Sequence, residues 1–460
     1  MPHAKPPRCP STVLRRSIAV ALGVMLISVS TLADAETAKE KELEARVAQL
    51  EQQVQALLAS QQQQQTVISE TQAQVTEVKT VQAAEAARVP AGKQRIQAVS
   101  ITPGAVPGST FKVGGFIKVD FLATQTGDGQ LADDATGRAL YLPGQTPVGG
   151  ERSGVDSNAH AKFSRFNLGV DSVTDSGDKM GAFVEMDFFG GALGNQAATN
   201  TYGVTLRHAY MYWNNWLAGQ TWSNFMDVAS MPEAADFVGP TDGVIFVRQA
   251  QLRYTQGGFS AALENSETTL VGTTSSDRGA LPDLTLRYGW KGDWGTFGVG
   301  ALARSLKVDR PGYDDSSFGG GLTLGGKWLM GSKDTLHYQV TGGEGIARYI
   351  GLGITGDGVL DASDGSLDTT GVLAGYVGWR HAFNPKLRTN VIFARSDYDN
   401  DAALTGLTAT KSVQSVRANV FYSPLPKVDL GAELMFGKRE IESGADGDIT
   451  RVQFTTKYSF

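Results

Sequence analysis

Hydrophobic and polar side chains alternate in short segments from Phe111 to Phe460. In FKVGGFIKVDF, at residues 111–121, the polar Lys112, Lys118 and Asp120 stand between apolar neighbours, and RVQFTTKYSF at residues 451–460 repeats the pattern. Segments of about ten residues with a period of two are typical of strands that face lipid on one side and a polar interior on the other. The pattern predicts an all-β transmembrane barrel over residues 111–460.

The connections between these segments alternate between short and long. The short ones are expected at Thr174–Asp178, Asn214–Asn215, Gln256–Gly258, Lys291–Asp293, Gly331–Asp334, Phe383–Lys386 and Ser423–Pro426. The long ones are expected at 125–159, 190–204, 224–242, 265–281, 309–316, 350–369, 397–410 and 438–448. Short turns at one end and long loops at the other are how outer-membrane barrels are built. The map predicts about 16 antiparallel strands, with both termini at the periplasmic, short-turn end.

The tryptophans and the last residue fit this map. Of the seven tryptophans, six lie beside or just before predicted short turns: Trp213, Trp216, Trp290, Trp294, Trp328 and Trp379. Such clustering is typical of an aromatic girdle at a membrane interface. Phe460 then ends the last strand at the periplasmic rim, where we expect the barrel assembly machinery to recognise it. The predicted location is the outer membrane of a Gram-negative bacterium.

The N-terminal residues have the features of an export signal. Arg15 and Arg16 precede an apolar run over residues 18–30, and Ala33-Asp34-Ala35 is a small-residue cleavage site. This arrangement predicts a signal peptide over residues 1–35. Cys9 precedes the apolar run and is the only cysteine, so we expect a mature chain without disulfides or a lipid-modified cysteine. Beyond the signal, no apolar run is long enough for a transmembrane helix.

Residues 36–89 have a different period and no glycine or proline. Spacings of four and three connect Leu43, Val47, Leu50, Val54, Leu57, Gln61, Gln64, Ile68, Thr71, Val75 and Val78. This heptad pattern predicts a periplasmic α-helical coiled coil, with a single extended helix as the alternative. Valine and leucine at the core positions lean toward two strands, but the Gln61 and Gln64 layer leaves the number open. Val89-Pro90-Ala91-Gly92 ends the helix, and residues 90–110 form a predicted linker.

Composition narrows the function. The net charge is −6, which argues against a nucleic-acid partner. We find no G-x-S-x-G, HExxH or Walker motif, and the histidines after the signal are scattered, so neither an enzyme nor a cofactor or metal site is predicted.

A barrel of about 16 strands encloses an aqueous lumen, and alternation indicates which side chains face it. The predicted basic pore-lining residues are Arg165, Arg207, Arg253, Arg287, Arg304 and Arg417. Arginine remains charged and binds carboxylate or phosphate in a bidentate manner, so such a lumen concentrates anions. The third long loop, NFMDVASMPEAADFVGPTDG, carries Asp227, Glu233 and Asp236. We expect it to fold inward and to constrict the channel opposite the arginines, with a plain surface loop as the alternative.

The chain resembles the DcaP-like trimeric outer-membrane porin family. The segments that carry the resemblance are GGFIKVDF, FSRFNLGV, LRHAYMYW, LAGQTWSNFMDVASMPEAADFVGP, VRQAQLRYT, LPDLTLRYG, GEGIARYI and the C-terminal strands. The resemblance implies a homotrimer of sixteen-stranded barrels in outer-membrane lipid and lipopolysaccharide, with a periplasmic coiled-coil stalk. It further implies uptake of small anionic solutes, notably dicarboxylates.

Two alternatives stay open. One is a porin specific for phosphate or sugar; phosphate would need a ladder of lumen arginines, and sugar a track of lumen aromatic residues that the alternation does not predict. The other is a structural protein with a plugged barrel, anchoring the envelope through its coiled coil.

Overall fold

The computed structural model describes residues 109–133, 135–190, 202–272, 276–277, 279 and 281–460. The main strands are β1 (Thr110–Thr126), β2 (in two parts, Asp156–His160 and Arg165–Val173), β3 (Lys179–Gly190), β4 (Gly203–Trp213), β5 (Trp216–Trp222), β6 (Arg248–Gln256), β7 (Phe259–Glu264), β8 (Asp283–Gly292), β9 (Gly295–Arg310), β10 (Tyr313–Met330), β11 (Asp334–Glu344), β12 (Gly371–Asn384), β13 (Leu387–Asp399), β14 (Thr410–Tyr422), β15 (Val428–Ile441) and β16 (Asp446–Ser459). Each pairs antiparallel with its neighbours in sequence.

The connections contain only short elements. Two small hairpins pair Thr268–Thr269 with Ser276–Asp277 and Gly358–Leu360 with Leu367–Thr369. The 3-10 turns are Thr136–Arg138, Pro143–Gln145, Val228–Ser230 and Ala347–Tyr349, and one α-helical turn spans Ala402–Thr405. None of the described helices is long and apolar enough to cross a membrane.

The sheet closes on itself between its first and last strands. Phe116 to Thr126 of β1 pair in register with Ser459 to Ile449 of β16, and the other edge of β1 pairs with both parts of β2. Closure satisfies the backbone hydrogen bonds of every strand within the sheet, as a lipid environment demands. The predicted sixteen-stranded antiparallel barrel is thus confirmed.

The two faces of each strand differ as alternation requires. On β8, Leu284, Leu286 and Trp290 are 41–46% exposed on the outside, while Asp283 and Thr285 are fully buried on the inside. The six tryptophans predicted to form a girdle are all exposed and lie near the short-turn end. The barrel therefore presents an apolar, aromatic-rimmed exterior and a polar interior.

The long-loop end differs from the prediction at two connections. We name the connections there L1 (127–155), L2 (191–202), L3 (223–247), L4 (265–282), L5 (311–312), L6 (345–370), L7 (400–409) and L8 (442–445). L5 and L8, predicted over 309–316 and 438–448, are short because the flanking strands continue through polar residues. Above an apolar band both strand faces meet water, so alternation of polarity cannot mark where a strand ends.

The signal peptide, the coiled coil and most of the linker, predicted over residues 1–110, lie outside the described residues. Those boundaries remain predictions.

The barrel interior holds the largest apolar cluster among the described residues. Leu140 of L1, Phe225 and Ile245 of L3, and Ile346 and Ile350 of L6 are all fully buried in it. These loops therefore fold into the barrel, since their apolar side chains find there the burial that a solvent-facing loop lacks.

Candidate functional site

L3 is anchored to the inner wall through its acidic side chains. Asp227 pairs with Arg287 of β8 at 2.7 Å, and Glu233 receives two hydrogen bonds from Arg388 of β13 at 2.6 and 2.7 Å. Asp236 accepts a hydrogen bond from the Tyr141 amide at 3.0 Å. All three predicted loop acids therefore lie inside the barrel, each in contact with a group that offsets its charge.

Backbone contacts extend this anchoring around the wall. The Ser230 carbonyl lies 3.2 Å from Nδ1 of His337, and the Ala235 carbonyl accepts from Lys118 Nζ and Gln453 Nε2, both at 2.9 Å. L3 thus reaches wall strands from β7, which bonds to Asn224, round to β16 and β1. Among the described residues, no hydrogen bond or ion pair connects L3 to β2, β3 or β4.

L3 also packs directly on the wall and on L6. A Cβ added to Gly243 would lie 2.0 Å from the carbonyl oxygen of Gly375, so only glycine permits this approach to β12. Phe246 donates its amide hydrogen to the Tyr349 carbonyl at 2.9 Å, and Gly351 donates to the Val244 carbonyl at 2.9 Å. L3 and L6 are therefore joined as a short antiparallel bridge inside the barrel.

Three of the six predicted arginines are buried, and two of them, Arg304 and Arg417, form ion pairs with the inner loops. The Arg304 side chain is fully buried and pairs with Asp357 of L6 at 2.9 Å and with Asp283 at 3.4 Å. Arg417 has a side chain only 1% exposed, 3.4 Å from Glu433 and 3.9 Å from Asp236. Both side chains point inward as alternation predicts, but they hold loops in place, and Arg287 does so through Asp227.

The part of the wall formed by β2, β4 and β6 carries a cluster of guanidinium groups. Arg207, nearly buried, pairs with Glu185 at 2.8 Å and with Asp187 at 2.7 Å. Arg165 lies 3.4 Å from the same Glu185 oxygen, and its side chain is 23% exposed. Its Nε makes no hydrogen bond to the described protein.

Arg248 completes this cluster. Its guanidinium lies 5.0 Å from the ring centroid of Trp222, within electrostatic range of Arg165 and Arg207. It forms no ion pair among the described residues, and its Nη1 lacks a hydrogen-bond partner. The sequence pattern missed Arg248 because it is the first residue of β6, at a position that alternation would point outward.

Arg253 lies lower on β6 and donates from Nε to Gln251 at 2.8 Å. It has no carboxylate within ion-pair distance among the described residues, although Glu264 is in electrostatic range. Arg165, Arg248 and Arg253 thus retain positive charge that nearby carboxylates only partly offset. Such partly exposed guanidinium groups can bind carboxylate or phosphate oxygens.

A buried carboxylate joins three of the inner segments. Asp242 of L3 is fully buried, accepts from the Tyr141 hydroxyl of L1 at 2.8 Å and is hydrogen-bonded to Ser415 of β14. Burial raises the pKa of Asp242 to about 6, although these hydrogen bonds and nearby Arg417 oppose the shift. The loop anchorage therefore includes a group that titrates near neutral pH.

Comparison with known proteins provides relatives for this architecture. A family model described as DcaP outer membrane protein matches residues 25–460. The crystal structure of the outer membrane channel DcaP of Acinetobacter baumannii is 25% identical, with a TM-score of 0.65 over 77% of this chain and 98% of that chain. An anion-selective porin from Comamonas acidovorans is 13% identical, with a TM-score of 0.46 over 76% and 100% of the two chains. The trimer form of OmpT from Vibrio cholerae is 12% identical, with a TM-score of 0.48 over 77% and 100%. No curated protein matches the sequence.

Proposed function

The chain belongs to the DcaP outer membrane protein family, and from this premise we propose that its barrel is a water-filled channel favouring small anionic solutes such as dicarboxylates. Family membership and the closed barrel indicate an outer-membrane channel. The charges of the interior support the proposed preference for anions.

The single observation that carries the proposal is the arginine cluster on β2, β4 and β6. Arg248 has no ion-pair partner among the described residues, and Arg165 shares its one carboxylate, Glu185, with Arg207. On the opposite side the L3 acids are engaged by wall groups, so they offset little of this charge. We assign solute contact to Arg165, Arg248 and Arg253, and loop anchorage to Arg287, Arg304 and Arg417.

The size of the effect follows from Coulomb's law. In a water-filled pore one unit charge at about 4 Å contributes about 1 kcal/mol to a passing anion. Useful preference therefore requires several converging guanidinium groups. A dicarboxylate has two charged groups for such contacts, whereas a cation is repelled because the guanidinium groups outnumber Glu185 and Asp187 there.

The test is the reversal potential of single channels in a salt gradient. Replacing Arg165 and Arg248 together by glutamine should move the potential toward cation preference and reduce succinate uptake more than uptake of a neutral solute of similar size. The matched control replaces Arg395 and Lys411, which lie on the outer face and in ion pairs at the long-loop end. It removes the same charge, and its potential should stay at the wild-type value. An Arg165→Gln/Arg248→Gln channel of normal conductance and unchanged reversal potential would refute the assignment.

The same family membership supports an assembly. We propose a homotrimer seated in lipid and lipopolysaccharide, with the short-turn end and the coiled coil of residues 36–89 in the periplasm. Phe460 supports this orientation, because it follows β16 at the short-turn end, where its amide donates to the Gly115 carbonyl at 3.1 Å. Its ring is 40% exposed in the folded barrel, and we propose that the assembly machinery recognises it.

A further inference from the structure

A cavity of about 460 Å³ lies among the loops at the long-loop end. L4, L6 and L7 contribute its walls, and Arg439 of β15 is the one charged side chain in the lining. The volume falls in the range of pockets that hold small solutes. It lies apart from the cluster formed by Arg165, Arg207 and Arg248, none of which contributes to its lining.

Arg439 is held in place without losing its charge. Its Nε donates to Thr410 Oγ1 at 3.0 Å and its Nη1 donates to the Thr146 carbonyl of L1 at 3.1 Å. Both acceptors are neutral, and Nη2 makes no hydrogen bond to the described residues. The guanidinium therefore has a fixed orientation, a full positive charge and a free donor.

The carboxylates in the flanking segments are engaged elsewhere. Asp357, next to the lining residue Gly356, is fully buried and pairs with Arg304 at 2.9 Å. Asp401 caps the helical turn that precedes Thr405, accepting from the Ala403 amide at 2.8 Å. Neither of them forms an ion pair with Arg439, so no carboxylate of these segments neutralises the cavity.

The remaining lining is rich in hydroxyl groups. Thr355 and Thr408 line the cavity, and their hydroxyls form no hydrogen bond with the described residues. Hydroxyl donors beside one oriented guanidinium suit a small oxyanion, since each oxygen can accept from a different donor. An apolar solute would leave these polar groups without partners.

We propose that Arg439 and the hydroxyl groups around it form an outer capture site for small carboxylate solutes at the mouth of the channel. The site binds such an anion before it reaches the arginine cluster deeper in the barrel. This inference rests on the proposed function, because the anions captured are those the channel conducts.

The test uses a single cysteine in the cavity, which is feasible because the chain has one native cysteine, Cys9, in the predicted signal peptide. Thr408→Cys places a thiol on an exposed lining residue. Anionic and cationic methanethiosulfonate reagents of similar size are then applied in liposomes to the full chain with Cys9→Ser, so that the cavity thiol is the only one present. Arg439 should favour the anionic reagent, and adding Arg439→Gln should lower the anionic-to-cationic rate ratio by about 25-fold, because loss of one nearby unit charge changes each of the two rates about fivefold and in opposite directions.

A second arm tests binding itself. Succinate should slow modification of Thr408→Cys by the anionic reagent, whereas its neutral diamide should not, and Arg439→Gln should abolish the protection. Arg439→Lys should keep the rate ratio, because lysine has the same charge. It should lose part of the protection, because lysine lacks the planar guanidinium group that binds both oxygens of a carboxylate. The matched control is Arg380→Gln, near the short-turn end of β12, which should leave both readouts unchanged.

Three results would overturn the capture site. These are an unchanged rate ratio in Arg439→Gln, equal protection by succinate and its diamide, or an equal effect of Arg380→Gln. None of these readouts depends on ion conduction through the deeper cluster. Failure here is therefore distinguishable from failure of the proposed selectivity, which the reversal potential of Arg165→Gln/Arg248→Gln measures.

Discussion

At the scale of single residues, the docking of the loops inside the barrel depends on the hydrogen-bond and ion-pair partners of each buried charged group. Asp242 is the clearest case, because it is fully buried and its two oxygens meet hydroxyl groups, those of Tyr141 and Ser415. Burial raises its pKa to about 6, so Asp242 binds a proton more tightly when L3 is docked onto L1 and β14 than when L3 is undocked. The docked loop is consequently most stable when Asp242 is protonated.

This gives a pH prediction with a definite sign. An undocked aspartate has an ordinary pKa near 3.9, so docking weakens as pH rises from about 4 to about 6 and changes little above. The full difference corresponds to roughly 3 kcal/mol. We expect the open-channel current noise of the wild type to increase between about pH 4 and about pH 6, and that of Asp242→Asn to stay constant over the same pH range. An identical pH response in both proteins would show that other groups control the loop.

At the scale of elements, the alternation of polar and apolar residues predicted the strands but not how the loops fold. It predicted sixteen strands and the inward side of β8 and β14, because lipid on one side and polar groups on the other impose a period of two. It could not predict that L1 and L6 fold inward, because loop residues such as Ile346 and Tyr349 do not follow a periodic pattern of polarity. Nor could it show that Arg304 and Arg417 are covered by loops, because it reports the side a residue faces, not what covers it.

The docking of L6 gives a prediction at this scale. Arg304 and Asp357 form a fully buried ion pair, and Asp357 also accepts from the amides of Thr269 and Arg348 at 3.1 and 2.9 Å. Asp357→Asn leaves Asp283 as the one carboxylate paired with Arg304 among the described residues, which should destabilise docking by about 2 kcal/mol, as for loss of a hydrogen bond to a charged group. We expect trypsin to cleave after Arg348 about 30-fold faster, measured by limited proteolysis.

The control for this experiment lies in the same loop. Asp364 is exposed and accepts from the amide of Ser366, two residues away, at 2.9 Å, so Asp364→Asn should leave the cleavage rate unchanged. Equal rates for Asp357→Asn and wild type would mean that the apolar contacts of L6 hold it without the ion pair.

At the scale of the whole molecule, the barrel is closed by residues from its own ends. β1 and β16 pair over eleven positions, from Phe116–Ser459 to Thr126–Ile449, and nothing before Thr110 takes part in the sheet among the described residues. The membrane-spanning part therefore has all its backbone partners within residues 110–460.

Deleting residues 36–90 should accordingly leave a barrel that inserts and runs as a heat-modifiable band on a gel. The proposed trimers should persist if the barrel walls carry most of the contact between protomers. Folded monomers on a native gel would show that the coiled coil holds the oligomer, and loss of the heat-modifiable band would show that residues 36–90 are needed for folding.

Whether the interior charges make this channel favour anions can be measured as the reversal potential of the wild-type channel in a steep KCl gradient. We predict the sign set by chloride permeation, because Arg165, Arg248 and Arg253 keep positive charge on the part of the wall where no L3 carboxylate pairs with them among the described residues. A reversal potential with the sign of potassium permeation would contradict it.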